Sequence, residues 1–258
     1  MPASPHGVTL ELAGNWKAYA DHDVLRGVDL DVGAGELVAI VGQSGTGKSV
    51  LLRQIIGLEP PDRGRIAVGG MELPRYLELP PEKKPFRMAM VFQNAALLAS
   101  LTVAENVSLR LRERREHSRR DIAEITRRAL EAVDLAGTEQ KLPSELSGGM
   151  RKRVSIARAL AVHPELILYD EPTADLDPIL TQEIGRLIRR IRDSRGATQL
   201  IVTHNVPLAR GIADRIAVLY EGRIAEYLAP TELAQSRHPF TRELVRASTM
   251  MLQEEPTC

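Results

Sequence analysis

Eight consecutive residues, Gly42-Gln43-Ser44-Gly45-Thr46-Gly47-Lys48-Ser49, combine three glycines, hydroxyls and one ammonium. Glycines let a backbone turn its N–H groups inward around an oxyanion, and a helix starting there adds its positive end. Lys48 is then placed to reach the terminal phosphates of a nucleotide, and Ser49 to offer a hard oxygen to Mg2+. A chance Gly-rich turn would not need a buried strand before it and an amphipathic helix after it. A second chemical cluster closes the apolar run Leu166-Ile167-Leu168-Tyr169 with Asp170 and Glu171. Asp170 suits a metal, held directly or through water, while Glu171 suits proton acceptance from an attacking water. His204 follows a β-rich run, Thr198 to Thr203, and would reach the γ phosphate from the same sheet edge. The other histidines, His6, His22, His117, His163 and His238, read as structural.

These groups need elements to hold them. Leu37 to Val41 is continuously apolar, the mark of a strand buried on both faces, and it enters Gly42 directly. From Lys48, the residues Leu51, Leu52, Ile55 and Ile56 fall on one side of a helix that Gly57 stops and Pro60-Pro61 prevents from continuing. Val8 to Leu12 and Leu25 to Val32 alternate, as antiparallel strands with one wet face do. Asp177 reads as an N-cap with Pro178 at the first helical position, and Ile184, Leu187, Ile188 and Ile191 form the buried stripe up to Gly196. Ser118-Arg119-Arg120-Asp121 predicts a capping box, with Ile122, Ile125, Ala129 and Val133 on one face.

The 258 residues suffice for one sizeable core with an inserted subdomain. Lys plus Arg and Asp plus Glu both number 34, which gives no support to a general nucleic-acid binder. The Arg-rich stretch Arg110 to Arg128 is broken by Glu113, Glu116, Asp121 and Glu124, so it reads as a solvated helix face. No apolar run approaches the roughly 20 residues of a membrane span. The opening Met-Pro-Ala-Ser-Pro-His lacks signal character and the one cysteine is Cys258, so cytoplasmic residence is expected.

Between the loop and the carboxylate pair stand Gln93, after the strand Met88 to Phe92, and the pentapeptide Leu146-Ser147-Gly148-Gly149-Met150. With Ala174 to Asp177 and His204, this ordered set resembles the ATP-binding subunits of ABC transporters from about Val8 to Leu228. The resemblance implies an α/β fold: a P-loop NTPase, RecA-like core with an antiparallel β subdomain and an inserted α-helical subdomain. It divides the single 1–258 unit into a nucleotide-binding core (1–92 and 160–230), a helical subdomain (93–159) and a C-terminal extension (231–258).

What the resemblance implies for the site is ATP with Mg2+. Gly42, Gln43, Ser44, Gly45, Thr46, Gly47, Lys48, Ser49 and Val50 would hold the nucleotide, and Tyr19 would stack on adenine, with Trp16 its rival. Ser49, Gln93 and Asp170 would hold the metal. Ser147, Gly148 and Gly149 would cap the γ phosphate bound to a second subunit, with Asp177 in the loop that crosses between them. Lys48, Gln93, Glu171 and His204 would be catalytic. Partners follow by the same route: a second copy of the chain and a transmembrane permease dimer, whose short helix would enter a cleft lined by Asn94 to Leu101.

Most members of this group end the pentapeptide with Gln. Here Met150-Arg151-Lys152-Arg153, with Lys48-Ser49-Val50-Leu51-Leu52-Arg53, resembles the Mla and Mce type ATPases of envelope lipid transport. This implies phospholipid traffic at the cytoplasmic face of a bacterial inner membrane, with a periplasmic lipid-binding domain protein, a small accessory cytoplasmic protein and no nucleic acid. Met150 packing in place of Gln in another transporter is the plainer alternative. His238-Pro239-Phe240-Thr241-Arg242-Glu243-Leu244 is also seen at the ends of peptide-importer ATPases, so an importer or exporter of peptides or small solutes remains the rival. Phe240, Leu244 and Val245 predict a short amphipathic helix for packing on a neighbouring ATPase chain, and Met250 to Cys258 a frayed end. DNA-repair ABC proteins separate the loop from the acidic pair by a long coiled coil, whereas Asp170 follows Lys48 by 122 positions. Translation-associated ABC proteins carry two cassettes in one chain, and this chain has one set.

Overall fold

The computed structural model describes residues 7–114 and 117–250; His6, Glu116 and, apart from Met250, the end expected to fray from Met250 to Cys258 lie outside the described residues. In chain order the elements are β1 (Leu10–Tyr19), β2 (His22–Val32), β3 (Leu37–Val41), α1 (Lys48–Ile55), β4 (Arg63–Val68), β5 (Met71–Glu72), α2 (Leu73–Glu78) and β6 (Met88–Val91). They continue as α3 (Val103–Arg114), α4 (Arg119–Glu131), α5 (Gly148–Leu160), β7 (Leu166–Asp170), α6 (Pro178–Arg195), β8 (Thr198–Thr203), α7 (Val206–Ile212), β9 (Arg215–Tyr220), β10 (Arg223–Leu228) and α8 (Pro239–Met250).

Two sheets result. One has the order β10-β9-β3-β8-β7-β6, parallel throughout except for β10 at the edge. The other, β2-β1-β4-β5, is antiparallel. The continuous apolar strands explain why the first is central. Along β3, Leu37, Ala39 and Val41 point into one core and Val38 and Ile40 into the other. Successive side chains alternate between faces, so a strand apolar at every position can be buried only with layers on both sides. The first core joins this sheet to α3, α4, α5, α6 and α7; the second joins it to α1 and the antiparallel sheet.

Local signals account for several element ends. Gly57, at φ 82°, closes α1: its N–H donates to the Gln54 carbonyl and that of Leu58 to Arg53, the paired bonds of a left-handed glycine stop. Ser118 and Asp121 form the reciprocal cap of α4. Asp177 caps α6 by accepting from the Leu180 N–H at 2.9 Å, and Gly196 ends it at φ 65°. On α3 and α4 the arginines pair with acids on the same surface: Arg110 with Glu113, Arg112 with Glu105, Arg127 with Glu124 and Glu131, and Arg128 with Glu124. A half-exposed, self-neutralised face of this kind agrees with the solvated reading.

Two expectations need correction. The first alternating segment is longer than Val8 to Leu12: the strand starts at Leu10 and runs to Tyr19 through register irregularities, so Trp16 and Tyr19 both lie on it. The apolar side of α8 is used by the chain itself. Phe240 is buried against Tyr220, ring centroids 4.3 Å apart, and Leu244 and Val245 pack on the first core. Among the described residues no helix is long and apolar enough to cross a membrane.

Candidate nucleotide site

The phosphate loop sits between the end of β3 and the start of α1, beside the C-terminal ends of β8 and β7 in the same parallel sheet. Gly42 has no room for a side chain, since a Cβ there would stand 2.5 Å from the Leu219 carbonyl oxygen. Gly45 and Gly47 occupy left-handed backbone, at φ 81° and 97°. Gln43, Ser44 and Gly45 are exposed, whereas Lys48 is 6 % exposed. Its Nζ donates to the carbonyls of Gly42 and Gln43, both at 2.8 Å, so the ammonium lies inside the curve of the loop. Burial lowers its proton affinity, and the carboxylates of Glu171 and Asp170 oppose that.

Ser49 Oγ donates to Asp170 Oδ1 at 2.8 Å, joining residues 121 positions apart. Burial raises the proton affinity of Asp170; the Ser49 bond opposes the rise and Glu171 adds to it. A buried carboxylate beside a hydroxyl and a second carboxylate is the donor set a hard divalent ion prefers. Mg2+ therefore fits Ser49 and Asp170. Glu171 follows at φ 43°, a strained position for a non-glycine residue, with its N–H on the Val202 carbonyl. Its Oε2 meets both the backbone N–H and the Nδ1 of His204, at 3.3 and 3.0 Å. Lys48, Ser49, Asp170, Glu171 and His204 thus gather at one sheet edge, where a nucleotide and a water can meet a proton acceptor.

The remaining candidates surround that edge at different removes. Tyr19 is 42 % exposed and its hydroxyl donates to Glu59; Trp16 is half-buried over Gly27, with the Arg63 guanidinium 6.0 Å from its ring. The freer ring is Tyr19. Val50 is half-buried against the second core. Gln93 is exposed, at the end of β6, and its backbone carbonyl accepts from Lys152. Ser147 caps its own helix, accepting from the Met150 N–H at 3.3 Å. The nearest side chains to Gly148 and Gly149 are Leu176, Arg151 and Leu180, so this segment lies against the start of α6. Asp177 is exposed there.

Three residues of this region were missed in the sequence. Val24 stands 2.8 Å from where a Gly47 Cβ would be and walls the loop. Asp175 holds a left-handed position at φ 63°. Lys152 is buried, although it lies between two arginines. A signal for Lys152 was present: it falls on one helix face with the buried Ser155, Ile156 and Ala159. Met150 is half-buried against the first core, consistent with packing in place of a polar residue.

Comparison with known proteins agrees with this geometry. Residues 25–174 match the family described as ABC transporter. The chain is 38 % identical over 257 residues to Protein TRIGALACTOSYLDIACYLGLYCEROL 3, chloroplastic, of Arabidopsis thaliana, covering 93 % of this chain and 74 % of that one. It is 40 % identical over 235 residues to the sulfate/thiosulfate import ATP-binding protein CysA of Xylella fastidiosa, covering 90 % and 66 %. Among solved structures, the dimeric post-hydrolysis state of the ATP-binding cassette MJ0796 bound to ADP and Pi superposes with a TM-score of 0.75 at 30 % identity, covering 86 % of this chain and 98 % of that chain.

Proposed function

The chain belongs to the ABC transporter family as an ATP-binding, ATP-hydrolysing subunit, and from that premise we propose that it drives phospholipid movement between the membranes of a bacterial envelope. What supports the hydrolytic roles is the gathering of Lys48, Ser49, Asp170, Glu171 and His204 at one sheet edge. ATP would be held by Gly42 to Val50 with its adenine on Tyr19, and Mg2+ by Ser49, Asp170 and Gln93; together they supply the phosphoanhydride bond and a local positive charge. Lys48 neutralises the terminal phosphates, Glu171 takes the proton of the attacking water, and His204 holds the Glu171 carboxylate while facing the γ phosphate.

The catalytic unit is a dimer in this reading. Ser147, Gly148 and Gly149 lie against the start of the chain's own α6, and in this reading they would cap a nucleotide held by a second copy. The exposed Asp177 and Ile179, the latter 72 % exposed, suit the face between copies. ATP joins the two chains and hydrolysis lets them part, so the dimer is the two-state element. A permease dimer would dock at the segment from Asn94 to Leu101, where Leu98 is 47 % exposed. In this reading the subunit would work at the cytoplasmic face of an inner membrane, with a periplasmic lipid-binding domain protein and a small accessory cytoplasmic protein completing the assembly.

The lipid assignment draws on two supports: Met150 with Arg151-Lys152-Arg153, and a relative named for trigalactosyldiacylglycerol, a glycolipid. The relative named for sulfate/thiosulfate import favours small-solute transport as the second reading. Purifying the chain with its permease and identifying the co-purified molecules by mass spectrometry tests the choice. Phospholipid enriched over the bulk membrane composition is expected; a bound peptide or polar solute without such enrichment overturns it.

A further inference from the structure

The helix that begins at Ser147 carries a buried cation with no role in the chemistry above. Lys152 is 7 % exposed, and its Nζ donates to the backbone carbonyl of Gln93. Burial disfavours its charge, while the carboxylates of Asp175 and, less strongly, Glu171 favour it. An ammonium out of water persists only where hydrogen bonds and opposite charge compensate it, and that requirement constrains the partners as much as the lysine. Further along the same helix, Arg158 donates to the carbonyls of Ala95 and Ala96 at 2.7 and 2.6 Å. Both alanines are in left-handed backbone, at φ 57° and 47°. The segment 93–96 is therefore held to α5 at three carbonyls, one of them by a group whose charge also acts toward Asp175 and Glu171.

We propose that Lys152 is a positioning residue for ATP hydrolysis, a buried ammonium that ties the Gln93 loop to α5 and, through its charge, to the Glu171–Asp175 segment. Gln93 lies in the turn after β6 and Glu171 directly after β7, two strands that pair in parallel. One charge between the two loops sets the Gln93 side chain and the Glu171 carboxylate relative to each other. Asp175 suits this task, since an aspartate tolerates a left-handed position better than most residues and brings the opposite charge to it.

This inference rests on the roles given above to Gln93 and Glu171. Its test is steady-state ATPase of the full chain carrying Lys152→Met, Lys152→Arg, Asp175→Asn or Glu171→Gln. Lys152→Met should lower kcat about tenfold with the KM for ATP within about twofold, as loss of an interaction felt mainly in the transition state does. Lys152→Arg, which keeps the charge and a donor, should recover most of that loss. Combining Lys152→Met with Asp175→Asn should cost less than the two single effects together. Unchanged kcat in Lys152→Met, or a joint loss of kcat and ATP affinity that arginine does not restore, overturns the proposal. If Lys152→Met does not fold, Lys152→Gln removes the charge while keeping a donor for the Gln93 carbonyl and carries the same test. Turnover retained in Glu171→Gln defeats the general-base reading, whereas turnover lost in Glu171→Gln but kept in Lys152→Met defeats only the role of Lys152.

Discussion

One oxygen of Glu171, Oε2, takes two contacts from His204: the backbone N–H at 3.3 Å and the ring Nδ1 at 3.0 Å. The backbone contact joins the ends of neighbouring strands β7 and β8, so it survives loss of the imidazole. The carboxylate itself has no substitute.

Glu171→Gln keeps the shape and the contacts but cannot accept a proton. It should bind ATP and dimerise while turnover falls by about a hundredfold or more. His204→Ala leaves the backbone N–H in place and should cost less, roughly tenfold. Phosphate release and size-exclusion chromatography with ATP measure both. Equal losses would mean that ring and carboxylate act as one unit, and turnover retained in Glu171→Gln would remove the proton role from the carboxylate.

Two glycines of the phosphate loop should respond differently to alanine. Gly45, at φ 81°, has nothing within 4 Å of a built Cβ, so Gly45→Ala meets backbone strain alone, about 1 to 2 kcal/mol. At Gly47, φ 97°, the same methyl would stand 2.8 Å from Val24 Cγ1 and 3.0 Å from Leu25 Cδ2. Leu25 is fully buried and Val24 is stiff at χ1, so neither yields easily. Gly47→Ala should therefore lose more stability in urea unfolding and more ATP affinity than Gly45→Ala; the reverse order would contradict the packing of Val24 against the loop.

Much of this arrangement was legible in the sequence because burial on both faces leaves an unbroken apolar run. Leu37–Val41, Leu166–Asp170 and Thr198–Thr203 are strands where their residue types place them. The short α2 was not legible: it has only six residues, with Pro74 in its first turn and Pro80-Pro81 just beyond, too little chain for a helical period to show. Contacts between distant elements were also hidden. The Ser49–Asp170 bond depends on β3 and β7 flanking β8, an order no periodicity encodes. Lys152 stands in a charged triplet of the composition that marks a solvated face, while the helix turns its middle residue inward.

Asp170 should make the nucleotide-free fold pH-dependent. Burial, opposed by the Ser49 bond and reinforced by Glu171, raises its proton affinity above the ordinary carboxylate range. A group that binds its proton more tightly folded than unfolded adds stability below that range, and the contribution fades as pH rises through the raised value. The melting temperature of Asp170→Asn should therefore gain on that of the unmutated protein between pH 4 and 7. A constant difference across the series would show that Asp170 is not the group responsible.

The C-terminal helix yields the last prediction. Phe240 is 6 % exposed and stacked on Tyr220, and the fully buried Thr241 donates its hydroxyl to Glu226, which also accepts from Ser236 at 2.7 Å. These contacts are internal, so their loss should register in a single chain. Phe240→Ala removes a large ring from a packed site and should cost about 3 kcal/mol in urea unfolding without nucleotide. Truncation after Arg237 should cost at least as much, because the Glu226 carboxylate then loses its Thr241 donor along with the ring. If the helix served only to hold a neighbouring subunit, both variants would unfold like the unmutated chain and differ only in assembly. Measuring unfolding at protein concentrations where the chain is monomeric separates the two outcomes, since assembly contributes nothing there.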